Sequence, residues 1–193
     1  PEINNTIVEN RANEIVSFKS GYLMGEPLQY VSRGKGENLG DAINQLNEYV
    51  FAEEKPAKDK ELADWFHICG TAFRMILPDT TGDEDEAPFE IYTLDPRNAF
   101  VIYHNGLGNK PVMGVKYVVD EHGRIHYSCY TKYEFFEIVD SEVTKRYTHV
   151  LGEIPIIEYP LNIARIGAFE LVIPLLDAIN LTDSNRVDGV ERS

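Results

Sequence analysis

The sequence predicts an α+β domain with helices first, then an antiparallel meander, then a long final helix. Three observations predict it. The front carries apolar residues at helical spacing, the period changes to alternation at Gly70, and the last stretch returns to three- and four-residue steps. The turn signals between the alternating segments are of hairpin length. A parallel pair would need a crossover of a dozen or more residues, so the strands are expected to be antiparallel.

The first helix is read from Thr6-Ile7-Val8-Glu9, a capping-box pattern in which threonine and glutamate satisfy each other's backbone amides. Val8, Ala12, Ile15, Val16 and Lys19 share one face, and Gly21 or Gly25 ends the helix before Pro27. Residues 28–31 read as a short extended piece, and 32–37 as a polar loop whose glycines permit tight turns. Asn38 is placed to cap a second helix with Leu39, Ile43, Leu46 and Val50 as its stripe, ended by residues 53–56. A third helix, from about 58 to 69, turns Leu62, Trp65, Phe66 and Cys69 one way. It leaves Lys58, Asp59, Lys60, Glu61 and Asp64 mostly to water.

After Gly70, Thr71, Phe73, Met75 and Leu77 alternate with Ala72, Arg74 and Ile76, which is strand periodicity. An acidic loop follows over 78–88, with Asp79, Asp83, Glu84, Asp85 and Glu86. Strands are then expected at 89–94, 99–103, 113–119, 124–131, 133–139 and 143–149, separated by turn signals such as Asp95-Pro96-Arg97-Asn98 and Asn105-Gly106. A β-like segment at 154–159 leads through a hinge at Pro160, Asn162 and Gly167 into the final helix. There Val172, Leu175, Leu176, Ile179, Val187 and Val190 form an apolar stripe, with Asp177, Ser184, Asp188 and Glu191 opposite. Pro174 is expected to kink or restart this helix. The initial proline and the uncapped end lead to the expectation that the chain is a piece of a longer polypeptide.

At 193 residues the chain is long enough to bury roughly 70% of its unfolded surface. With 43% hydrophobic residues it has the composition of a folded protein, and no apolar run approaches the roughly 20 residues of a membrane helix. Cys69 and Cys129 lack a pairing pattern and read as packed thiols of a reducing compartment, which favours a cytoplasmic origin. Eighteen basic against 32 acidic residues give a formal charge of −14, which argues against a surface that grips nucleic acid through many phosphates.

Motifs of chemistry are sparse. The acidic loop lacks the alternating ligands and later glutamate of a calcium loop, so it reads as a solvated connection. His122 and His126 fall at a turn and its strand, and His67 and Cys69 point apart on a helix. No four-ligand metal spacing exists. Gly34-Lys35-Gly36 and Gly106-x-Gly108 do not fit a phosphate loop. Cys129 beside Tyr127 and Tyr130 is a packed strand thiol, and Glu134 and Glu137 have no evident cleft. No catalytic, cofactor or metal residue is assigned, and no enzyme activity is expected.

Two stretches carry a resemblance. Residues 10–30, NRANEIVSFKSGYLMGEPLQY, contain Gly21-Tyr22, Gly25 and Pro27. Later come Gly152-Glu153-Ile154-Pro155, Phe169-Glu170, Leu176-Asp177-Ala178-Ile179-Asn180 and Ser184-Asn185-Arg186, with residues 70–79 and Asp95-Pro96-Arg97 between. In this order they resemble the portal proteins of tailed phages, as found in siphophages and prophages of Gram-positive bacteria. The resemblance implies a non-catalytic ring, commonly of twelve subunits, at one capsid vertex. Double-stranded DNA would pass through its channel. The implied partners are further copies of the chain, terminase, scaffold and major capsid proteins, and head-completion or adaptor proteins, with assembly in the host cytoplasm and no membrane.

Residues 1–168 would then form a wing-like domain and 169–193 the start of a stem helix. The Gly167 hinge would redirect the chain, and Asp177, Asn180 and residues 183–186 would be interface or channel-side positions. The competing readings are a metal-dependent phage nuclease using the acidic loop and another capsid or adaptor protein.

Overall fold

The computed structural model describes residues 6–34, 38–79 and 87–191. Most of the acidic loop, residues 80–86, and residues 35–37 of the polar loop lie outside these.

The first helix, α1 (Arg11–Leu23), starts later than the capping-box reading placed it. Asn10 is its N-cap, accepting a bond from the Asn13 amide at 3.1 Å. The reason is competition: the Glu9 carboxylate is held by Arg11 and the Ile7 and Glu9 amides by distant side chains, so residues 6–9 stay outside the helix. In α2 (Leu39–Ala52), Asn38 occupies the N-cap at φ 72° but makes no side-chain cap bond. Val50 is buried, Ile43 and Leu46 are half-buried and Leu39 is exposed.

Pro56 begins α3 (Lys55–Cys69) rather than ending α2, because a proline in the first helical turn gives up no intrahelical bond. Gly70, at φ +72°, terminates α3 in the left-handed conformation that suits glycine. The expectation that the α3 charges face water fails at Asp59, which is 4% exposed beside a Lys55 that is 7% exposed.

The strands are β1 (Thr71–Pro78), β2 (Phe89–Leu94), β3 (Ala99–Tyr103), β4 (Pro111–Val119), β5 (Ile125–Tyr130), β6 (Glu134–Val139), β7 (Glu142–Thr148) and β8 (Ile156–Pro160). All pairings are antiparallel. The expected single meander is two sheets. Strands β3 to β7 form a five-stranded meander in chain order, whereas β1 sits between β2 and β8 in a second sheet. β8 returns to β1 in the register Phe73↔Glu158 and Met75↔Ile156. Period-2 alternation marks a strand but carries no information about so distant a partner.

Phe73, Met75, Ala99 and Ile156 form the core between the sheets, with Leu77, Leu94, Val101 and Tyr130 packed against it. Gly114 of β4 belongs to that contact: a Cβ there would sit 2.7 Å from Ile156 Cβ. On the opposite face of β1, α3 covers Ala72 and Arg74, and α1 packs on α3. A 3₁₀ turn, Glu170–Val172, precedes the last helix, α4 (Ile173–Glu191). Pro174 lies in its first turn, so the helix restarts there.

Candidate functional site

The loop between β8 and the 3₁₀ turn is fastened to the end of α3 by its backbone. Leu161 N donates to Gly70 O at 2.8 Å and Ala168 N to His67 O at 2.7 Å. Asn162 closes the loop on itself, its amide donating to Ile166 O while its oxygen accepts from Ile166 N. The approach is so close that a Cβ on Gly70 would overlap Arg165 O and one on Gly167 would overlap Ile68 O. Gly167 is therefore a contact glycine, pressed against α3.

Charge fixes the same loop. The Glu158 carboxylate, with its side chain only 4% exposed, takes Arg165 Nε at 2.5 Å and Nη2 at 2.9 Å. It also accepts from Thr71 Oγ1 at 2.9 Å and Tyr103 OH at 2.5 Å. The Arg165 bonds hold the Glu158 carboxyl below the usual carboxylate range. Burial, reinforced by the bond to Glu158, pushes the Tyr103 phenol up to about 12. One acid thus joins β1, β3, β8 and the loop that precedes α4.

Helix α4 is held at its other side by residues 6–9. Ile7 N donates to Ser184 Oγ at 2.9 Å, and Glu9 N donates to Asn180 Oδ1 at 2.9 Å. Asn180 and Ser184 are four apart and so share a helix face. The half-buried face runs Leu176, Ile179, Asn180, Asp183, Ser184, Val187 and Asp188. This corrects the expected stripe: Ser184 and Asp188 lie with the apolar residues, because the strap of residues 6–9 offers polar backbone as well as Ile7. Leu175, Leu181 and Val190 are 60%, 63% and 70% exposed. Of the anticipated interface positions, Asn180 and Ser184 bind the strap, while Asp177, Asn185 and Arg186 are exposed.

The other candidates separate. His122 is exposed in the β4–β5 turn, and His126 on β5 lies 3.1 Å from Asp120, which also accepts from the His122 and Arg124 amides. Glu134 pairs with Arg146 and Glu137 with Lys145, as cross-strand contacts between β6 and β7. Cys69 and Cys129 are free thiols, and burial raises the pKa of both. Asp79 closes a backbone bond from its amide to Pro88 O at 3.1 Å. Among the described residues, no three His, Cys, Asp or Glu side chains converge to hold a metal, and no helix is long and apolar enough to cross a membrane.

A charge cluster beneath α3 escaped sequence reasoning. Lys55 Nζ donates to Asp59 Oδ2 and Arg74 Nη1 donates to Asp59 Oδ1, each at 2.5 Å, with all three side chains buried. The available signal was Arg74 itself, an arginine alternating with Ala72 and Ile76, since a buried cation in a strand requires a counter-ion.

Compared with known protein families, residues 2–193 match the model of the phage portal proteins of the SPP1 Gp6-like type. The chain belongs to this portal family. The match spans both sheets, the clamped loop and α4, so one structural family accounts for all of these elements. No curated protein is similar enough to count as a match. The clamped loop and the strap are the two places where α4 is fastened to the rest of the chain.

Proposed function

We propose that this portal chain contributes to a ring-shaped head–tail connector through which double-stranded DNA is packaged and ejected. Residues 1–168 act as its peripheral wing and 169–193 as the beginning of the stem. The observation that carries this reading is α4, which leaves a rigidly clamped loop with Leu175, Leu181 and Val190 exposed along it. Exposed apolar residues gathered in a patch, as Leu171, Val172, Ile173 and Leu175 are around the start of α4, mark surfaces that join other protein. In this reading neighbouring copies cover them, and terminase, capsid, scaffold and head-completion proteins bind the assembled ring at the capsid vertex. The formal charge of −14 suits a conduit, since a surface that does not neutralise phosphates lets DNA slide.

Negative-stain imaging of the full-length gene product tests the proposal. Rings with a central channel are expected, and Leu175→Asp with Leu181→Asp should reduce their yield while the monomer stays folded. A full-length product that remains monomeric at all concentrations would overturn it.

A further inference from the structure

The charge cluster under α3 opens into a cavity that the portal role does not use. The cavity measures about 430 Å³, within the ordinary range of ligand pockets. Pro27, Leu28, Val50, Phe51 and Pro56 make its apolar wall, and Lys55 and Asp59 its polar end. The wall is built, because Asn47 of α2 grips the Tyr30 backbone from both sides, accepting from Tyr30 N at 3.0 Å and donating to Tyr30 O at 2.9 Å. The Tyr30 ring stands 5.6 Å from Lys55 Nζ.

The charges alternate along a line: Arg74 positive, Asp59 negative, Lys55 positive. Among the described residues, two cations against one carboxylate leave the buried cluster with an excess of one positive charge. Buried charge without a counter-ion is costly. Arg74 does not line the cavity, so Lys55 is the cationic end that a ligand can reach. Lys55 Nζ has three donors, and its hydrogen bond to Asp59 uses one.

We propose that this cavity is a binding site for a carboxylate carried on an apolar stem, with the carboxylate completing the alternating series at Lys55 and the stem lying against Leu28, Val50 and Phe51. The Lys55 ammonium sets the headgroup and the wall sets the stem. Glu48, an exposed acid on the same wall, opposes the ligand's charge.

The test uses the 193-residue chain with hexanoate and hexanamide, which share a stem and differ in charge, followed by NMR shifts of Phe51 and Lys55. Hexanoate should bind at least about ten-fold more tightly than hexanamide. Lys55→Met should bring the two together, and it leaves Asp59 and Arg74 as a balanced pair, so the fold should survive. Glu48→Gln should strengthen hexanoate alone. A second arm replaces hexanoate with a short peptide ending in leucine, as free acid and as amide. Binding of the free-acid peptide identifies a protein C-terminus as the source of the carboxylate, whereas binding of hexanoate alone identifies a free acid. Equal binding of hexanoate and hexanamide to the unmodified chain, or no binding of either, overturns the proposal whatever the variants do.

Discussion

Glu158 and Arg165 form a two-pronged ion pair, Nε at 2.5 Å and Nη2 at 2.9 Å, across the loop that launches α4. The carboxylate is enclosed while the guanidinium is 44% exposed, so solvent reaches one side of the pair only. Glu158→Gln removes the charge but keeps the shape, and should cost roughly 1.5–3 kcal/mol, the range for hydrogen bonds to a charged group. The pH dependence has a definite sign. The folded-state pKa of Glu158 is depressed, so its contribution is complete above the unfolded carboxylate value of about 4.3 and disappears as pH falls through the folded value. Urea unfolding between pH 7 and 3 should show a flatter acid limb in the variant.

Gly70→Ala and Gly167→Ala should each destabilise the chain. At Gly70 the penalty has two parts, a positive φ and an overlap with Arg165 O. At Gly167 it is steric only, from overlap with Ile68 O and a tight approach to His67 O. Left-handed strain in a residue with a side chain costs about 1–3 kcal/mol, so Gly70→Ala should lower the denaturation midpoint more. Gly40→Ala, where a Cβ meets nothing within 4 Å, is the control.

Asp59→Ala should be the most damaging single change considered, because it strands two buried cations. Breaking a buried pair by removing one partner costs about 3–5 kcal/mol. Arg74→Met should cost less, since Lys55 and Asp59 still balance. Chemical denaturation of both variants gives the order directly.

The strands and helices were legible in the sequence, and the reasons are local. Alternation and turn residues placed β2 at 89–94 and β3 at 99–103, the bounds the structure has. The β8–β1 pairing and the buried Asp59 were not legible, because each depends on a partner remote in the chain. Asp59 in particular sits among Lys58, Lys60 and Glu61, and only the approach of Arg74 from β1 distinguishes it. The sequence makes Asn180 and Ser184 candidates for interface or channel-side positions, but nothing local tells that the strap covers them.

His67 is buried in α3 with neither ring nitrogen partnered among the described residues. Burial, aided by the charge of Lys19 and opposed by Asp64, lowers its pKa. A histidine held neutral stabilises the fold fully above its unfolded value of about 6.5, and that stability is lost as pH falls below it. Stability should therefore drop on acidification from pH 7 to 5, and His67→Leu should flatten that slope.

Asn180→Ala with Ser184→Ala should free residues 6–9. Hydrogen exchange at the Ile7 and Glu9 amides should accelerate by about ten-fold or more, as expected when protected amides become locally open, while the sheet amides remain protected. Unchanged exchange at both amides would refute the role given to this pair.

The strap gives the chain a mechanical circuit. Ile7 and Ser184 are 177 positions apart in sequence, yet a pull along α4 reaches α1 through only a few hydrogen bonds, bypassing both sheets. Under traction the strap would act as a weak link that parts first, leaving the Glu158–Arg165 clasp to carry the load.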